Sequence, residues 1–184
     1  MNALLVILAV VGILVIWAVG MFNRLVQLRQ NVKSGWSQID VQLKRRHDLI
    51  PNLVETAKGY MAHERQTLEN VIKARQQAVN ATGLKDKQEA ENFLSGTLRS
   101  LFAVSENYPN LKADQNMRQL QEELTTTENK IGFARQYYND EVNRLNATVE
   151  SFPANVLAGM FNFKKEDYFQ VEDQAEKQAP QVKF

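Results

Sequence analysis

The chain has 184 residues, with 22 Lys and Arg against 21 Asp and Glu, and no cysteine. This length suits one modest domain with an appendage. The balanced charge excludes a global bias toward nucleic acid or acidic substrates. The lack of cysteine excludes disulfides, thiolate metal sites and thiol catalysis, so stability has to come from packing.

The N-terminal segment Ala3–Phe22 contains no charged side chain, and 12 of its residues are Leu, Ile or Val. About 20 helical residues span about 30 Å, the thickness of the hydrocarbon core of a bilayer. We therefore expect a transmembrane helix that contacts the lipid bilayer through residues 3–22. The alternative is a cleaved secretory signal, because Ala18-Val19-Gly20 loosely resembles a cleavage site. The missing basic segment before the apolar run argues against that alternative.

The charges that follow the span predict its orientation. Positive residues are retained on the cytoplasmic side of a membrane. We therefore expect a single-pass protein of the bacterial cell (inner) membrane, with its N-terminus outside and its helical domain in the cytoplasm. Only Asp40 opposes the basic residues after the span, which are Arg24, Arg29, Lys33, Lys44, Arg45 and Arg46.

Apolar residues recur every three or four positions from Phe22 to Ile50. This spacing is typical of a helix with a packing seam of about 3.5 residues, so the membrane helix is predicted to continue into the soluble domain. Gly35 leaves room beside Trp36 for a neighbouring helix, and Trp36 is interpreted as a core anchor. At Pro51 the ring removes a backbone donor, and the pattern leaves a kinked continuation and a tight turn equally open.

Further helices are predicted between polar breaks. The same spacing predicts a second helix from about Pro51 to Asn80, a third over Asp86–Glu106 and a fourth over about Asp114–Ser151. Two loops are predicted between them, at residues 80–87 and at residues 107–110.

The end of the chain is predicted to be different in character. A short helix over Pro153–Ala158 would end at Gly159 as its cap. A polar tail from about Gln170 is expected to be disordered. An aromatic cluster lies between them, made of Phe161, Phe163, Tyr168 and Phe169.

These elements define an all-α fold, in which an N-terminal transmembrane helix continues into an elongated antiparallel four-helix bundle. We divide the chain into an anchor over residues 1–22, a helical bundle over residues 23–163 and a flexible C-terminal tail over residues 164–184. Seams of this spacing suit coiled-coil-like contacts between helices.

Several polar residues interrupt the apolar seams. Buried charges need partners, so one hypothesis is an ion pair between Arg46 and Glu64 on two helices. The favoured alternative is that these polar heads reach solvent along their aliphatic stems. The interrupting residues are Arg46, Glu64, Arg75, Thr127 and Glu141.

No catalytic or metal-binding motif is found in the sequence. A di-iron bundle needs Glu three residues before each His, but His47 and His63 follow Lys44 and Tyr60 at that spacing. The zinc protease motif, the serine elbow and the phosphate-binding glycine loop are absent too. The basic run Lys44–His47 points in four directions around a helix and forms no single patch. We therefore predict no enzyme activity, and no catalytic, cofactor-binding or metal-binding residues.

Three segments carry a resemblance to a known family: WSQIDVQLKRRHDLIPNLVETAKGY, ENYPNLKA and TTTENKIGFARQYYNDEVNRLN. Together with the apolar N-terminus they resemble the LemA family of bacterial membrane proteins, over about Asn23 to Phe161. Gly35 is a small departure, because the family more often has alanine there. The resemblance implies one membrane span and a cytoplasmic antiparallel helical bundle, and it brings no catalytic residues.

The resemblance also carries functional associations. A relative is implicated in forming magnetosome membranes, and members often occur beside genes for membrane metalloproteases or TPM domains. Our leading hypothesis is a non-enzymatic membrane-anchored scaffold or adaptor that self-associates or binds other membrane proteins, with a role in membrane organisation or shaping. The alternatives are an adaptor or regulator of a membrane protease and a secreted helical protein with a cleaved signal. No nucleic acid, cofactor or small-molecule substrate is expected.

Overall fold

The computed structural model of the chain describes residues 2–169. No strand occurs in that range, so the predicted all-α class is confirmed, whereas an arrangement of four helices in one bundle is not. The predicted disordered tail from Gln170 lies outside the described residues. The helices are α1 (Asn2–Lys58), α2 (Arg65–Asn80), α3 (Leu84–Ser105), α4 (Pro109–Ala113), α5 (Gln115–Glu150) and α6 (Ala154–Met160).

Helix α1 continues through Pro51 without reversing the chain. Of the two outcomes left open at Pro51, continuation of the helix is the one found, and the break before the second helix falls between Lys58 and Arg65, later than the predicted start near Pro51. Pro51 is exposed, while Leu53 and Ala57 beyond it are fully buried. Burial of these apolar side chains offsets the single backbone hydrogen bond that proline cannot donate, because tertiary packing supplies most helical stability in proteins.

Two later boundaries are set by local chemistry. Pro109 begins α4 and does not lie in a loop as predicted, because the first position of a helix needs no backbone donor. Asp114 precedes α5, and its Oδ1 accepts a hydrogen bond from the backbone N–H of Met117 at 2.9 Å. This is the side-chain cap that favours aspartate before a helix.

Helix α6 ends at Met160, two residues later than predicted, and its left-handed capping residue lies three residues after the predicted glycine cap. Gly159 lies inside α6, and the left-handed residue after it is Asn162, with φ 55°. The N–H of Phe163 bonds to the carbonyl of Ala158 at 2.9 Å, and that of Asn162 bonds to Gly159 at 3.3 Å. These two bonds form a Schellman motif, in which asparagine can replace the usual glycine.

The described chain divides into two packed units. We call residues 2–40 with residues 132–168 the anchor unit, and residues 41–131 with Phe169 the core unit. The core unit is organised around buried apolar side chains that α1, α2, α3, α4 and α5 all supply. They are Ile50, Leu53, Val54, Ala57, Met61, Leu68, Val71, Leu94, Leu98, Leu101, Leu111, Met117 and Leu124.

In the anchor unit the apolar start of α1 has no protein cover. No part of its most apolar 18-residue stretch is buried, and Ile16 is 75% exposed. A helix in the core of a soluble protein would be covered on most sides. The segment is long and apolar enough to cross a membrane and is compatible with a membrane anchor.

Further along α1 the anchor unit closes by tight helix contact. A Cβ atom added to Gly35 would lie 3.1 Å from Tyr138 Cα on α5. The Trp36 and Tyr138 rings meet edge to face, with centroids 5.7 Å apart. The predicted close approach of a neighbouring helix at Gly35 is therefore confirmed.

We predict that Gly35→Leu destabilises the protein by about 1–3 kcal/mol, because the new side chain would force the backbone at Tyr138 to move. The free energy of unfolding would be measured in detergent with urea, by far-UV circular dichroism. Gly132→Leu is the control, because an added Cβ there meets no atom within 4 Å. Equal losses in the two variants would contradict the prediction.

Candidate functional site

The least expected side chain in the core unit is Arg46, a guanidinium with no solvent exposure. It extends from α1 and forms an ion pair with the carboxylate of Glu91 on α3. Its Nη1 also donates to Ser95 Oγ at 2.8 Å and pairs with Glu128 Oε2 on α5 at 2.6 Å. One buried cation therefore joins three helices, and we call Arg46 with His47, Glu91, Ser95 and Glu128 the charge network.

Glu91 is the fully buried anion of this network. In addition to Arg46, it faces His47, whose Nε2 lies 2.9 Å from Glu91 Oε1. Burial would by itself raise the pKa of Glu91, but the close contacts with His47 and with the Arg46 guanidinium outweigh it and hold the pKa below its ordinary value. Glu91 is therefore ionised at neutral pH and matches the charge of Arg46.

The outer edge of the network contacts solvent. The side chain of Glu128 is 43% exposed, and its Oε1 accepts a hydrogen bond from Ser95 Oγ at 3.1 Å. On the other side, Arg75 Nε on α2 donates to the backbone carbonyl of His47 at 2.7 Å. Polar groups of α2, α3 and α5 thus contact α1 at two adjacent residues, Arg46 and His47.

Both sequence-based expectations for Arg46 are wrong. Arg46 does not pair with Glu64, which instead accepts hydrogen bonds from the hydroxyls of Tyr108 at 3.2 Å and Thr67 at 3.4 Å. Nor does Arg46 reach solvent, and Glu141 is buried as well. A buried guanidinium needs a buried carboxylate close by, and only Glu91 satisfies that in the core unit among the described residues.

Sequence reasoning missed Glu91, although a signal was present. The structure buries Gln88, Glu91, Leu94 and Leu98 on one face of α3. Those positions are spaced by three and four residues, so Glu91 lies on the apolar stripe itself. A carboxylate on one seam and an arginine on another indicate an ion pair between helices.

The anchor unit contains its own buried carboxylate, Glu141 on α5. It accepts a hydrogen bond from Asn31 Nδ2 on α1 at 2.9 Å and pairs with Arg144 at 2.9 Å. Both partners remain within the anchor unit. Glu141 thus fixes the register of α1 against α5 without a fully buried cation.

The segment after α6 is held by main-chain contacts in the same unit. The Tyr138 hydroxyl donates to the carbonyl of Asp167 at 2.9 Å. The Asn146 amide bonds to both the N–H and the carbonyl of Glu166, each at 2.9 Å. Burial, with the nearby charges of Glu166 and Asp167, raises the pKa of Tyr138 to about 12, so its hydroxyl stays a donor.

The chemistry of the described sites is that of packing and charge pairing. No group of three His, Cys, Asp or Glu side chains within residues 2–169 is placed to hold a metal ion. A groove of about 650 Å³ runs between α2 and α3, lined mainly by polar side chains and by Phe93. Arg46 and Glu91 of the charge network are buried, Glu128 borders solvent, and the ions face one another, which suits fixing helix register.

An all-α protein that starts with an exposed apolar helix, and fixes its other helices with buried ion pairs, is a membrane-associated type of helical protein. The sequence profile of the LemA family matches residues 35–184. The chain belongs to the LemA family. That confirms the resemblance found in the sequence.

Curated relatives agree with this assignment. The magnetosome proteins MamQ 1 and MamQ 2 of Paramagnetospirillum magneticum are each 24% identical to the chain, over 81% of it and 64% of their own length. Protein LemA of Metamycoplasma hominis is 24% identical over 89% of the chain and 75% of its own length. The chain thus spans less than two thirds of the MamQ proteins.

We predict that Arg46→Met lowers the free energy of unfolding by about 3–5 kcal/mol, because it leaves Glu91 buried without its cation. Urea unfolding of the detergent-solubilised protein measures this loss. Arg45→Met is the matched control, because Arg45 is the next residue and is exposed. The double variant Arg46→Met with Glu91→Met should recover most of the loss, since a buried apolar pair needs no countercharge. A small, equal effect of both single variants would contradict a structural role for the network.

The depressed pKa of Glu91 predicts a stability that depends on pH. Its contribution is fully present above its ordinary pKa of 4.5 and is lost as the pH falls through the lower value in the folded state. The gap in unfolding free energy between the wild type and Glu91→Gln should therefore shrink on acidification below about pH 5. Urea unfolding at a series of pH values tests this. A gap that is constant from neutral pH into that range would show that Glu91 carries no such linkage.

Proposed function

We propose that this protein is a non-enzymatic, membrane-anchored helical scaffold or adaptor that associates with other membrane proteins or with copies of itself. The observation that carries the proposal is the continuity of α1. No loop interrupts it between the exposed apolar segment Ala3–Phe22 and Arg46, the centre of the charge network. A continuous helix thus joins the membrane anchor to the rest of the protein. This suits a protein that holds partners at the bilayer.

The helical part lies on the cytoplasmic side of the bacterial cell membrane in this proposal. The basic residues Arg24, Arg29 and Lys33 follow the apolar segment directly. Retention of positive charge on the cytoplasmic side then places the N-terminus outside.

Exposed apolar side chains in the core unit support association. Phe93 on α3 is 56% exposed and lines the groove between α2 and α3, which Lys73 also lines. Ile72 and Val79 on α2 are exposed too. Aromatic side chains are enriched where proteins meet. The similarity to two magnetosome proteins supports extending the proposal to membrane organisation or shaping.

Site-specific cross-linking tests association and sidedness together. The chain has no cysteine, so Phe93→Cys introduces a single thiol for a membrane-permeant reagent that carries a maleimide and a photoreactive group. Illumination of intact cells should produce a heavier adduct with a second copy or another protein. Pretreatment with a membrane-impermeant maleimide should leave its yield unchanged, because the thiol faces the cytoplasm.

The matched control is Thr126→Cys, an exposed polar position on α5. It should label equally well and cross-link less. Only monomers after illumination, together with a monomeric protein free of partners on native gels, would rule out the scaffold proposal. Loss of labelling after the impermeant maleimide would place the helical part outside and favour a secreted protein.

A further inference from the structure

Helix α6 and its flanks form an uncharged segment with an exposed apolar face. Residues 152–163, FPANVLAGMFNF, contain no charged side chain. Phe152 is 83% exposed and Met160 is 72% exposed, and Val156 and Phe161 are exposed as well. Val156 and Met160, four residues apart, share one helix face. Ala154, Ala158 and Phe163 are buried and Leu157 is half-buried, whereas Phe152, Val156, Met160 and Phe161 point away from the protein.

The register of α5 against α1 places this segment at the end of the apolar span. Tyr138 packs on Gly35, and Glu141 bonds to Asn31, so the two helices are antiparallel. Each further residue along α5 then lies level with the preceding residue of α1. By this count Glu150, the last residue of α5, lies level with about residue 22 or 23. Residues 152–163 therefore begin where the uncharged run of α1 ends.

Ring contacts in the anchor unit agree with this level. The Phe22 and Phe161 rings meet edge to face with centroids 4.8 Å apart, and Phe22 meets Phe163 at 5.8 Å. Phe22 is the last apolar residue before the first charged side chain, Arg24. The exposed face of α6 is thus continuous with the apolar surface of the membrane segment.

We propose that α6, with Phe152 and Phe161, is a second membrane contact that lies in the headgroup and acyl boundary of the leaflet from which α1 emerges. This inference rests on the membrane anchoring proposed above. Interfacial helices bury an apolar face at that depth and carry basic residues beside it. Here the exposed basic side chains of Arg24 and Lys164 flank the segment and suit anionic lipid headgroups, while Lys165 pairs with Glu150 at 2.6 Å.

A second contact gives the anchor a property that one helix lacks. A single spanning helix is free to change its tilt in the bilayer. An apolar segment that is held beside it at the interface restrains that tilt, because α6 is tied to α1 through Phe22, Phe161 and Phe163. The anchor unit is then held at one depth and tilt relative to the membrane surface.

Fluorescence quenching in vesicles tests the proposal on the full chain. A single cysteine is introduced by Val156→Cys and labelled with an environment-sensitive fluorophore. The protein is reconstituted in vesicles of phosphatidylcholine and phosphatidylglycerol, with nitroxide-labelled lipid or aqueous iodide as quencher. Phe133→Cys is the matched control, because Phe133 is an exposed apolar residue of the same unit, about 17 residues before the end of α5 or roughly 25 Å of helix. Leu8→Cys reports on the span itself.

The label at residue 156 should be quenched by nitroxide lipid several-fold more strongly than the label at residue 133, and iodide should show the reverse order. If iodide quenches the label at residue 156 as strongly as the label at residue 133, while nitroxide lipid quenches the label at residue 8, the anchoring proposal is supported and this inference is overturned. If residue 8 is open to iodide, the anchoring proposal itself fails. Protection of residue 156 from both quenchers would mean that a second copy covers α6, which also overturns the inference.

Discussion

A guanidinium without access to water sets the strictest constraint on this protein. Removing a charge from water costs several kcal/mol, and the interior returns that cost only when a countercharge and hydrogen bonds are well placed. Arg46 therefore requires Glu91, Ser95 and Glu128 at fixed positions on two other helices. An apolar seam tolerates small shifts between helices, but this network does not. The packing register of α1, α3 and α5 in the core unit depends on it.

The anchor unit reaches a defined register by a different physical route. At Gly35 the absence of a side chain brings the backbone of α1 against Tyr138, so steric fit sets the position. Asn31 and Glu141 add one directed hydrogen bond. Because Arg144, the cation beside Glu141, is mostly exposed, its desolvation cost is small. In both units, a few directional contacts thus specify a helix packing register that apolar burial alone would not define.

The sequence was sufficient for the class of fold and for most helix positions, because three-and-four spacing directly reflects which face is buried. It predicted the close approach at Gly35 from the smallest side chain on a seam. It left continuation and reversal of the chain open at Pro51, because the burial of Leu53 and Ala57 beyond the proline, which favours continuation, is a property of tertiary packing. A local sequence rule gives the free-energy cost of proline inside a helix, but it does not give the stabilisation that tertiary packing contributes.

The charge network shows a second limit of the same kind. Arg46 stands out in the sequence because it interrupts a seam, but its partner depends on which helices meet at that level. Ala90, next to Glu91, completes an apolar stripe with Leu94 and Leu98, so periodicity alone does not select Glu91 over Glu64 as the partner. Pairing between helices distant in sequence is a property of three-dimensional register, which periodicity in one helix does not contain.

The exposed apolar side chains are of two physical kinds, and the difference bears on function. In the core unit, Phe93 stands at a groove whose other lining residues are mostly polar, which is the composition of a surface that can separate from a partner and remain soluble. In the anchor unit, the apolar side chains of residues 152–163 adjoin a segment with no charge at all. Exposure of that continuous apolar surface to water would carry a large unfavourable free energy. Lipid would remove this cost without a protein partner, so in the proposals made above the second surface serves anchoring and the first serves association.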